Sequence, residues 1–341
     1  MAPVNNTSTP DAAIVIQGTG ILRTNLTLAR NLITGTANPD IIFGTPGDDE
    51  IRALAGDDTI LGTTGDDLID GGSGFDTVDY TNLGQAITLL PRGVIGEGNS
   101  SGGQILNIEK IVGDKGQPNA IDGSGGTGST SFDINLEARQ LVVNNVPNIG
   151  SLNFVVENFV NVTGTPNADK IVGSKGNNTL DGFGGDDDLI GGGGNDTLIG
   201  GDGNDTLLGT NNTGSGLNEK DVLTGGSGID KFILGNASGS FYKQNGNKDF
   251  AEITDFAFGE QIQLGTGDVF NIQRNKSGFN IFAVKDNQND LIAKVTISTG
   301  SATSRNSLTA TVDNTSSLLD TLPTGNFSLP AGGSNTIFVS A

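Results

Sequence analysis

The chain reads GGGGNDTLI over residues 191–199 and GGDGNDTLL over residues 200–208, so one nine-residue unit occurs twice in succession. We number this unit from its first glycine, which places an aspartate at position six and a leucine at position eight. A fixed period is typical of repeat folds, in which each unit buries its apolar side chain only by stacking on its neighbours. The period therefore predicts a solenoid.

The same unit can be followed in phase through two blocks, before and after the quoted stretch. The position-six residues, which we call the markers, are Asp40, Asp49, Asp58, Asp67, Asp76, Asp169, Asn178, Asp187, Asp196, Asp205, Asp221 and Asp230. Two residues after each marker stands an apolar residue: Ile42, Ile51, Ile60, Ile69, Val78, Ile171, Leu180, Leu189, Leu198, Leu207, Leu223 and Phe232. An insertion around residues 210–215 is the one break within the second block.

Each unit is expected to form a turn followed by a short strand. Position one is Gly except at Ala53, and position four is Gly except at Asn38, Asn167 and Glu219. Glycine suits a turn that needs positive φ, and asparagine tolerates that region best among other residues. The strand half alternates inward and outward, with the apolar residue inward. Two repeats then make one coil, and the coils stack as parallel strands in an all-β, flattened β-solenoid.

Stacking is expected to bring alternate markers together on one edge, so that Asp187 lies near Asp205 and Asp49 near Asp67. Like charges at this distance repel strongly in a partly dry site, and a cation between them would relieve the repulsion. Ca²⁺ accepts six to eight oxygen ligands in flexible geometry, whereas Mg²⁺ requires a tighter octahedron and retains water. Zn²⁺ prefers Cys and His, and the chain has neither. The pattern therefore favours several bound Ca²⁺ ions.

These repeats resemble those of the RTX family of bacterial calcium-binding proteins, whose nonapeptide reads Gly-Gly-x-Gly-x-Asp-x-(large apolar)-x. The resemblance implies a parallel β-roll in which the marker side chains and the turn carbonyls bind Ca²⁺. The turn carbonyls that the resemblance implies as Ca²⁺ ligands are those of Gly44, Gly47, Gly62, Gly65, Gly71, Gly74, Gly182, Gly185, Gly191, Gly194, Gly200, Gly203, Gly225 and Gly228. Asn178 departs from the motif and should form a weaker site, and Glu219 puts the turn of Asp221 in doubt. An EF-hand is not favoured, because flanking helices and the terminal Glu ligand are missing.

The remaining segments predict the organisation of the chain. We expect an N-terminal cap over residues 1–34, a first repeat block over 35–79 and a second over 164–233. Residues 80–163 contain strand-like runs at 86–90, 104–112, 132–136, 141–143 and 152–162, and are read as degenerate coils or an inserted β segment. Residues 234–341 are expected to form a C-terminal β cap, with strands at 251–256, 261–264, 269–274, 279–285 and 291–297. The polar tail ending at 336–339 resembles a type I secretion signal.

Composition points to an exported protein that needs calcium to fold. The 341 residues include 18 basic and 39 acidic side chains, for a net charge of −21. Such a chain avoids nucleic acid and lies near the disordered class unless its charge is neutralised. With no cysteine, calcium replaces disulfides as the expected stabilising link. Residues 1–34 do not read as a signal peptide, and no apolar run is long enough for a transmembrane helix.

The sequence favours a secreted or cell-surface structural protein, such as a self-assembling subunit of a surface layer, sheath or extracellular filament. A calcium-dependent adhesin or carbohydrate-binding module is the first alternative. An enzyme using carboxylates outside the repeats, such as Glu97, Glu109 or Glu137, is the weaker one. The absence of histidine removes Ser-His-Asp and Cys-His catalysis, and paired acids such as Asp48 and Asp49 recur with the repeat rather than marking an active site.

Overall fold

A computed structural model describes residues 30–97, 102–211, 218–243, 246–257, 259–285, 288–298, 307–312, 315–318, 326–329 and 335–340. Within these ranges the chain is almost entirely β, with short 3-10 turns at Pro91–Gly93 and Gly246–Lys248. It divides into two compact units. Unit 1 comprises the described residues up to Ala120 together with Phe154–Phe159, and unit 2 comprises Ile121–Asn153 and the described residues from Val160 onward.

The strands alternate between two sheets along the repeat blocks. The first eleven are β1 (Asn31–Thr34), β2 (Ile41–Phe43), β3 (Asp49–Arg52), β4 (Thr59–Leu61), β5 (Leu68–Asp70), β6 (Thr77–Asp79), β7 (Ile87–Leu90), β8 (Val94–Glu97), β9 (Gly103–Leu106), β10 (Lys110–Val112) and β11 (Asn119–Asp122). Within unit 1, one sheet has the order β1-β3-β5-β9-β8-β7 and the other has β2-β4-β6-β10. The repeat strands pair in parallel at a spacing of eighteen residues, as between Ile42 and Ile60. Two repeats therefore form one coil.

Unit 2 continues the alternation and ends in antiparallel strands. Its strands are β12 (Ser131–Asn135), β13 (Gln140–Val146), β14 (Gly150–Glu157, shared with unit 1), β15 (Phe159–Thr163), β16 (Lys170–Val172), β17 (Thr179–Asp181), β18 (Asp188–Gly192), β19 (Thr197–Asp202), β20 (Thr206–Thr210), β21 (Lys220–Ser227), β22 (Lys231–Ile233), β23 (Gly235–Asn236), β24 (Gly239–Ser240), β25 (Phe250–Phe256), β26 (Gln261–Leu264), β27 (Val269–Arg274), β28 (Gly278–Lys285), β29 (Gln288–Ile297), β30 (Ser307–Val312), β31 (Thr315–Leu318), β32 (Asn326–Leu329) and β33 (Asn335–Ser340). One sheet has the order β15-β17-β19-β21-β25-β29-β28-β27-β32, and the other has β13-β12-β16-β18-β20-β22-β26-β33-β30-β31.

The core consists of the position-eight side chains. All twelve are buried, with exposed fractions of 1% or less, from Ile42 through Leu198 to Phe232. Each inward strand residue stacks on its equivalent one coil away, as Leu180 does on Leu198. In unit 2 the stack of buried side chains continues into the C-terminal strands. Phe232 contacts Phe256 edge to face, and Phe256 contacts Phe279 in the same way, with ring centroids 6.1 Å apart in both pairs. The all-β solenoid prediction is confirmed.

The C-terminal strands follow the sequence expectation closely. Strands β25 and β26 lie parallel to β21 and β22, and so add one more coil to the solenoid. Strands β27, β28 and β29 then pair antiparallel in succession, with turns near the expected positions. The last strand, β33, pairs antiparallel with β26, so residues 335–340 lie within a sheet. A strand at the end of a solenoid covers backbone groups that would otherwise be open to pairing with another chain.

Two of the expected long strands are each interrupted by an asparagine in the left-handed region. The run 104–112 divides into β9 and β10 around Asn107, whose φ is +51°. The run 152–162 divides into β14 and β15 at Asn158, whose φ is +64° and whose Nδ2 donates to the Gly113 carbonyl at 2.9 Å. Left-handed backbone ends a strand, and asparagine adopts it more readily than other side chains. The expected domain boundaries at 34, 79, 163 and 233 stay predictions.

Candidate metal centre

Stacked markers are joined by a hydrogen bond between coils. The Asp187 backbone N–H donates to Oδ1 of Asp205 at 2.8 Å, and the Asp49 N–H donates to Oδ1 of Asp67 at 2.9 Å. The same bond recurs along both blocks, including the longer step from Asp205 to Asp230 at 2.8 Å. The predicted proximity of alternate markers is therefore correct. In each stacked pair, Oδ1 of the accepting aspartate is therefore hydrogen-bonded to a backbone N–H, and its Oδ2 takes no part in this bond.

In six turns this second carboxylate oxygen is buried and has no hydrogen-bond partner. The six are Oδ2 of Asp58, Asp76, Asp187, Asp196, Asp205 and Asp230. Their residues are no more than 1% exposed. A buried ionised oxygen without a partner is strongly destabilising, so each such atom calls for an unseen partner. Their repetition at one repeat position indicates a common ligand that supplies positive charge.

Backbone carbonyl oxygens lie beside these carboxylates in the space that a side chain at position one would fill. A Cβ atom built on Gly182 would collide with both Oδ2 of Asp187 and the carbonyl oxygen of Gly200. One coil later, a Cβ on Gly200 would collide with Oδ2 of Asp205 and the carbonyl oxygen of Gly225. Glycine at position one therefore keeps open a cradle lined by carboxylate and carbonyl oxygen. This is the donor set that Ca²⁺ takes in proteins.

Burial and mutual repulsion raise the pKa of the carboxyls in these turns. The pKa of Asp187 is raised to about 8, first by burial and then by the neighbouring Asp169 and Asp205 carboxylates. The pKa of Asp196 is likewise raised to about 8 by burial and by Asp221. A raised pKa means that the charged form lacks compensation in the metal-free turn. A bound cation would supply that compensation and hold the carboxylates ionised.

The residues present therefore fit calcium better than a metal held by side chains alone. Within the described ranges no three Asp, Glu, His or Cys side chains converge as a metal-binding group. In the turns of Asp76, Asp187, Asp196 and Asp205 the unpartnered carboxylate oxygen instead lies beside a backbone carbonyl oxygen, and this all-oxygen arrangement depends largely on the backbone. Such a site suits a hard cation with flexible coordination. The six aspartates with an unpartnered Oδ2, together with carbonyls of the glycine-rich turns, would hold the ions.

Five of the predicted ligands have their carboxylate or amide oxygen engaged within the protein. In the turns of Asp40, Asp49, Asp169 and Asn178 the N–H of the position-two residue donates to the marker side chain at 2.5–2.7 Å. Asp221 Oδ2 instead accepts a 2.5 Å hydrogen bond from the hydroxyl of Tyr242, which is fully buried. The assignment of these five residues as metal ligands stays a prediction from the repeat pattern.

The residues of position four meet the turn expectation only in part, because Gly47 and Gly176, like the two asparagines there, do not have positive φ. Gly65, Gly74, Gly185, Gly194, Gly203 and Gly228 have φ between +105° and +147°, as the turn argument predicts. The explanation that Asn38 and Asn167 replace Gly because they also take positive φ is wrong, because neither does. Their N–H groups donate instead to the hydroxyls of Thr36 and Thr165, both at 3.2 Å. The position-one glycines owe their identity to close approach rather than to positive φ.

Sequence reasoning missed residues that extend or end the marker columns. Glu109 replaces an aspartate at the end of one column, where its Oε2 accepts the Asp76 N–H at 2.7 Å. Glu260 also interacts with Asp230: its Oε2 accepts the Ala257 N–H at 2.8 Å, its Oε1 is buried without a hydrogen-bond partner, and burial raises its pKa to about 8. Position five forms a second ladder, in which Oδ1 of Asp186 accepts the N–H of Asn204 at 2.8 Å. Paired acids along the repeat are a signal for this ladder.

The raised pKa values predict an unusual pH dependence for the metal-free chain. An unfolded Asp has a pKa near 4, whereas Asp187 and Asp196 reach about 8 when folded. The folded state therefore binds more protons between these values, and its stability is greatest in acid and falls as the pH rises through about 8. In calcium-free buffer we expect more β signal in circular dichroism at about pH 6 than at about pH 9. The opposite trend would contradict the buried, uncompensated carboxylates.

Comparison with known proteins identifies the repeats. Four overlapping stretches match the RTX calcium-binding nonapeptide repeat, at residues 29–59, 43–78, 163–198 and 181–213. No curated protein matches the chain. A similar solved structure is the extracellular lipase LipA from Serratia marcescens, with 20% sequence identity and a TM-score of 0.22. The match covers 82% of this chain and 40% of the lipase chain, so the present chain spans less than half of that protein.

The matched stretches coincide with the two stacked repeat blocks and contain five of the six aspartates with an unpartnered Oδ2, namely Asp58, Asp76, Asp187, Asp196 and Asp205. Sequence, register and donor set thus agree on one assignment. The chain contains two blocks of RTX calcium-binding nonapeptide repeats, and these form a calcium-binding β-roll.

Proposed function

We propose that the protein is exported, folds when it meets extracellular calcium, and then acts as a structural subunit at or outside the cell surface. The observation that carries this proposal is the recurrence of a buried, unpartnered aspartate oxygen in six turns of a chain with a net charge of −21. Extracellular calcium modules bind with dissociation constants of about 10⁻⁴–10⁻³ M. Because cytosolic calcium is far lower, the chain would remain export-competent inside the cell and fold outside it.

A self-assembling role is supported by the exposed apolar side chains on the first repeat strands. Ile41 and Phe43 flank the buried Ile42 on β2 and are 44% and 65% exposed. Among the described strands β2 pairs only with β4, so no described strand lies against its other edge. An apolar strand edge of this kind favours the addition of another strand from a second molecule.

Among the described residues, no helix has the length and apolar character needed to pass through a lipid bilayer.

The two other functions draw less support. An adhesin or carbohydrate-binding module would use clustered exposed aromatics, and aromatic residues make up only 5% of this chain. An enzyme would need converging acids outside the repeats. Glu109 is instead bonded to the Asp76 backbone, and Glu137 forms an exposed ion pair with Lys175 at 2.5 Å. We therefore propose a non-catalytic role.

Sedimentation velocity in saturating calcium tests the assembly. We expect species much larger than a monomer that revert when calcium is chelated, and we expect Phe43→Lys to reduce them, because it places a charge on the exposed face of β2. Ile149→Lys is a matched control, because Ile149 is also 65% exposed and lies on a turn between β13 and β14. A compact monomer at every protein concentration would rule out self-assembly and favour the adhesin or binding module.

A further inference from the structure

The marker turns fall into two kinds according to the backbone at positions two and four. In the six turns with an unpartnered Oδ2, both positions have positive φ, as at Gly201 and Gly203 (+110° and +142°). The residue at position two need not be glycine, since Leu54 and Phe183 adopt φ of +83° and +72° there. We call these turns open. Their markers are Asp58, Asp76, Asp187, Asp196, Asp205 and Asp230.

In four other turns neither position has positive φ, and a hydroxyl residue stands at position two. We call these turns closed; their position-two residues are Thr36, Thr45, Thr165 and Ser174. In the turn of Asp169, the Thr165 N–H donates to Oδ2 at 2.5 Å and its hydroxyl donates to Oδ1 at 3.1 Å. The same hydroxyl accepts the N–H of Asn167 at 3.2 Å. The hydroxyl thus occupies a position between the marker and the turn backbone.

A closed turn satisfies its marker without a cation. Two donors point at the carboxylate oxygens, and a cation would have to displace both to reach them. Ser174 likewise donates two hydrogen bonds to Oδ1 of Asn178, from its N–H at 2.7 Å and from its hydroxyl at 3.1 Å. The Asn178 Nδ2 then donates to the Val160 carbonyl at 2.8 Å, so this amide is satisfied on both sides. Hydrogen-bonded polar groups are the stable state of a buried site.

The closed turns occupy a consistent place in the sequence. Asp40 and Asp49 are the first two markers of the first block, and Asp169 and Asn178 are the first two of the second. Within each block, each of the two edges begins with one closed turn, and open turns follow on the Asp40 edge of the first block and on both edges of the second. In unit 1 a further amide, the fully buried Asn119, makes direct hydrogen bonds to Ile87, Asp114 and Asn158 at 2.8–3.0 Å.

We propose that the repeats follow a two-letter turn code, in which open turns take calcium through their free Oδ2 and closed turns do not take it through their markers. Each block then begins with one metal-independent coil, and calcium sites follow it. The turn of Asp67 combines features of both kinds and is assigned to neither, whereas Asp221 is closed by the Tyr242 hydroxyl. This inference rests on the calcium-dependent folding proposed above, and it specifies which of the repeated turns carry it.

Equilibrium dialysis with radioactive calcium on the full chain tests the code. Asp205→Asn, in an open turn, is expected to lower the number of bound ions by about one, because a neutral amide replaces the free carboxylate oxygen. Asp169→Asn, in a closed turn on the same edge, should leave that number unchanged. An equal loss from both variants would overturn the code. A wild-type chain that binds no calcium would overturn the code and the proposed function together, whereas an equal loss from both variants overturns the code alone.

A gain of binding provides a second test, because a variant that fails to fold cannot produce the expected result. Ser174→Gly with Asn178→Asp converts residues 173–178 from GSKGNN to GGKGND, the open pattern, and Gly176 already stands at position four. We expect this double variant to bind about one more ion than the wild type. Asn178→Asp alone keeps the serine cap and should bind the wild-type number. A gain from the single substitution, or none from the double, would contradict the code.

Discussion

Chelation of calcium is expected to unfold the repeat blocks. For 341 residues the radius of gyration should rise towards about 66 Å, the value for an unfolded chain of this length. The six open markers are the reason. Taking an ionised carboxylate out of water costs several kcal/mol after relaxation, whereas a whole domain is stable by only about 5–15 kcal/mol. Small-angle scattering and far-UV circular dichroism in excess chelator measure both the expansion and the loss of strand.

The matching control is the addition of a second divalent cation. Magnesium carries the same charge but holds its water and demands octahedral geometry, so it should not restore the compact state at concentrations at which calcium does. Equal recovery with magnesium would show that screening of the net charge of −21 suffices, and that the turns themselves are not selective. A radius of gyration that does not respond to chelation would contradict calcium-linked folding.

The architecture of the repeat blocks could be predicted from the sequence because three positions hold their phase. A turn glycine, an acidic marker and an apolar residue at fixed spacing leave only one way to bury the apolar side chain, which is to stack successive coils. The structure accordingly pairs Leu180 with Leu198 and buries both completely. The C-terminal hairpins were also predictable, because runs of β-forming residues there alternate with turn residues such as those at 275–278.

The difference between open and closed turns could not be predicted, because it depends on hydrogen bonds and not on the markers. The same aspartate stands at position six in both kinds, and the period is identical. The difference lies in the hydrogen bonds of position two: Thr165 donates to Asp169, whereas Gly201 leaves Oδ2 of Asp205 free. Leu54 and Phe183 also occur in open turns, so glycine alone is not the signal. Every closed turn has a threonine or serine at position two, but the unassigned turn of Asp67 has Thr63 there too, so the residue types alone do not identify a closed turn.

The middle of the chain was less predictable because its turns are set by single residues outside the period. Asn107 and Asn158 adopt left-handed backbone and each ends a strand that looks continuous in sequence. Asparagine is common in many settings, so its presence does not indicate such a break. The fully buried Asn119 acts as a marker, yet its place in the repeat is apparent only from its hydrogen bonds to neighbouring coils.

Gly203→Ala is expected to cause a large loss of stability in the second block. Gly203 has φ of +142°, where residues other than glycine are strained by about 1–3 kcal/mol. The added methyl group would also overlap the carbonyl oxygen of Gly185 in the coil below, and backbone cannot move aside as a side chain can. We expect the free energy of unfolding to fall by about 3 kcal/mol and the melting temperature by roughly 6–12 °C. Thermal unfolding at saturating calcium measures this change.

Gly176→Ala is the matched control, because Gly176 also stands at position four but belongs to a closed turn. Its φ is not positive, and the nearest atom to the added methyl group would be Oγ of Ser174 at 3.8 Å. The substitution also restricts the unfolded chain, so the free energy of unfolding should change by less than about 1 kcal/mol, in either direction. If Gly176→Ala destabilised the protein as much as Gly203→Ala does, the turn would need glycine at position four in every repeat. The two kinds of turn would then share one backbone conformation.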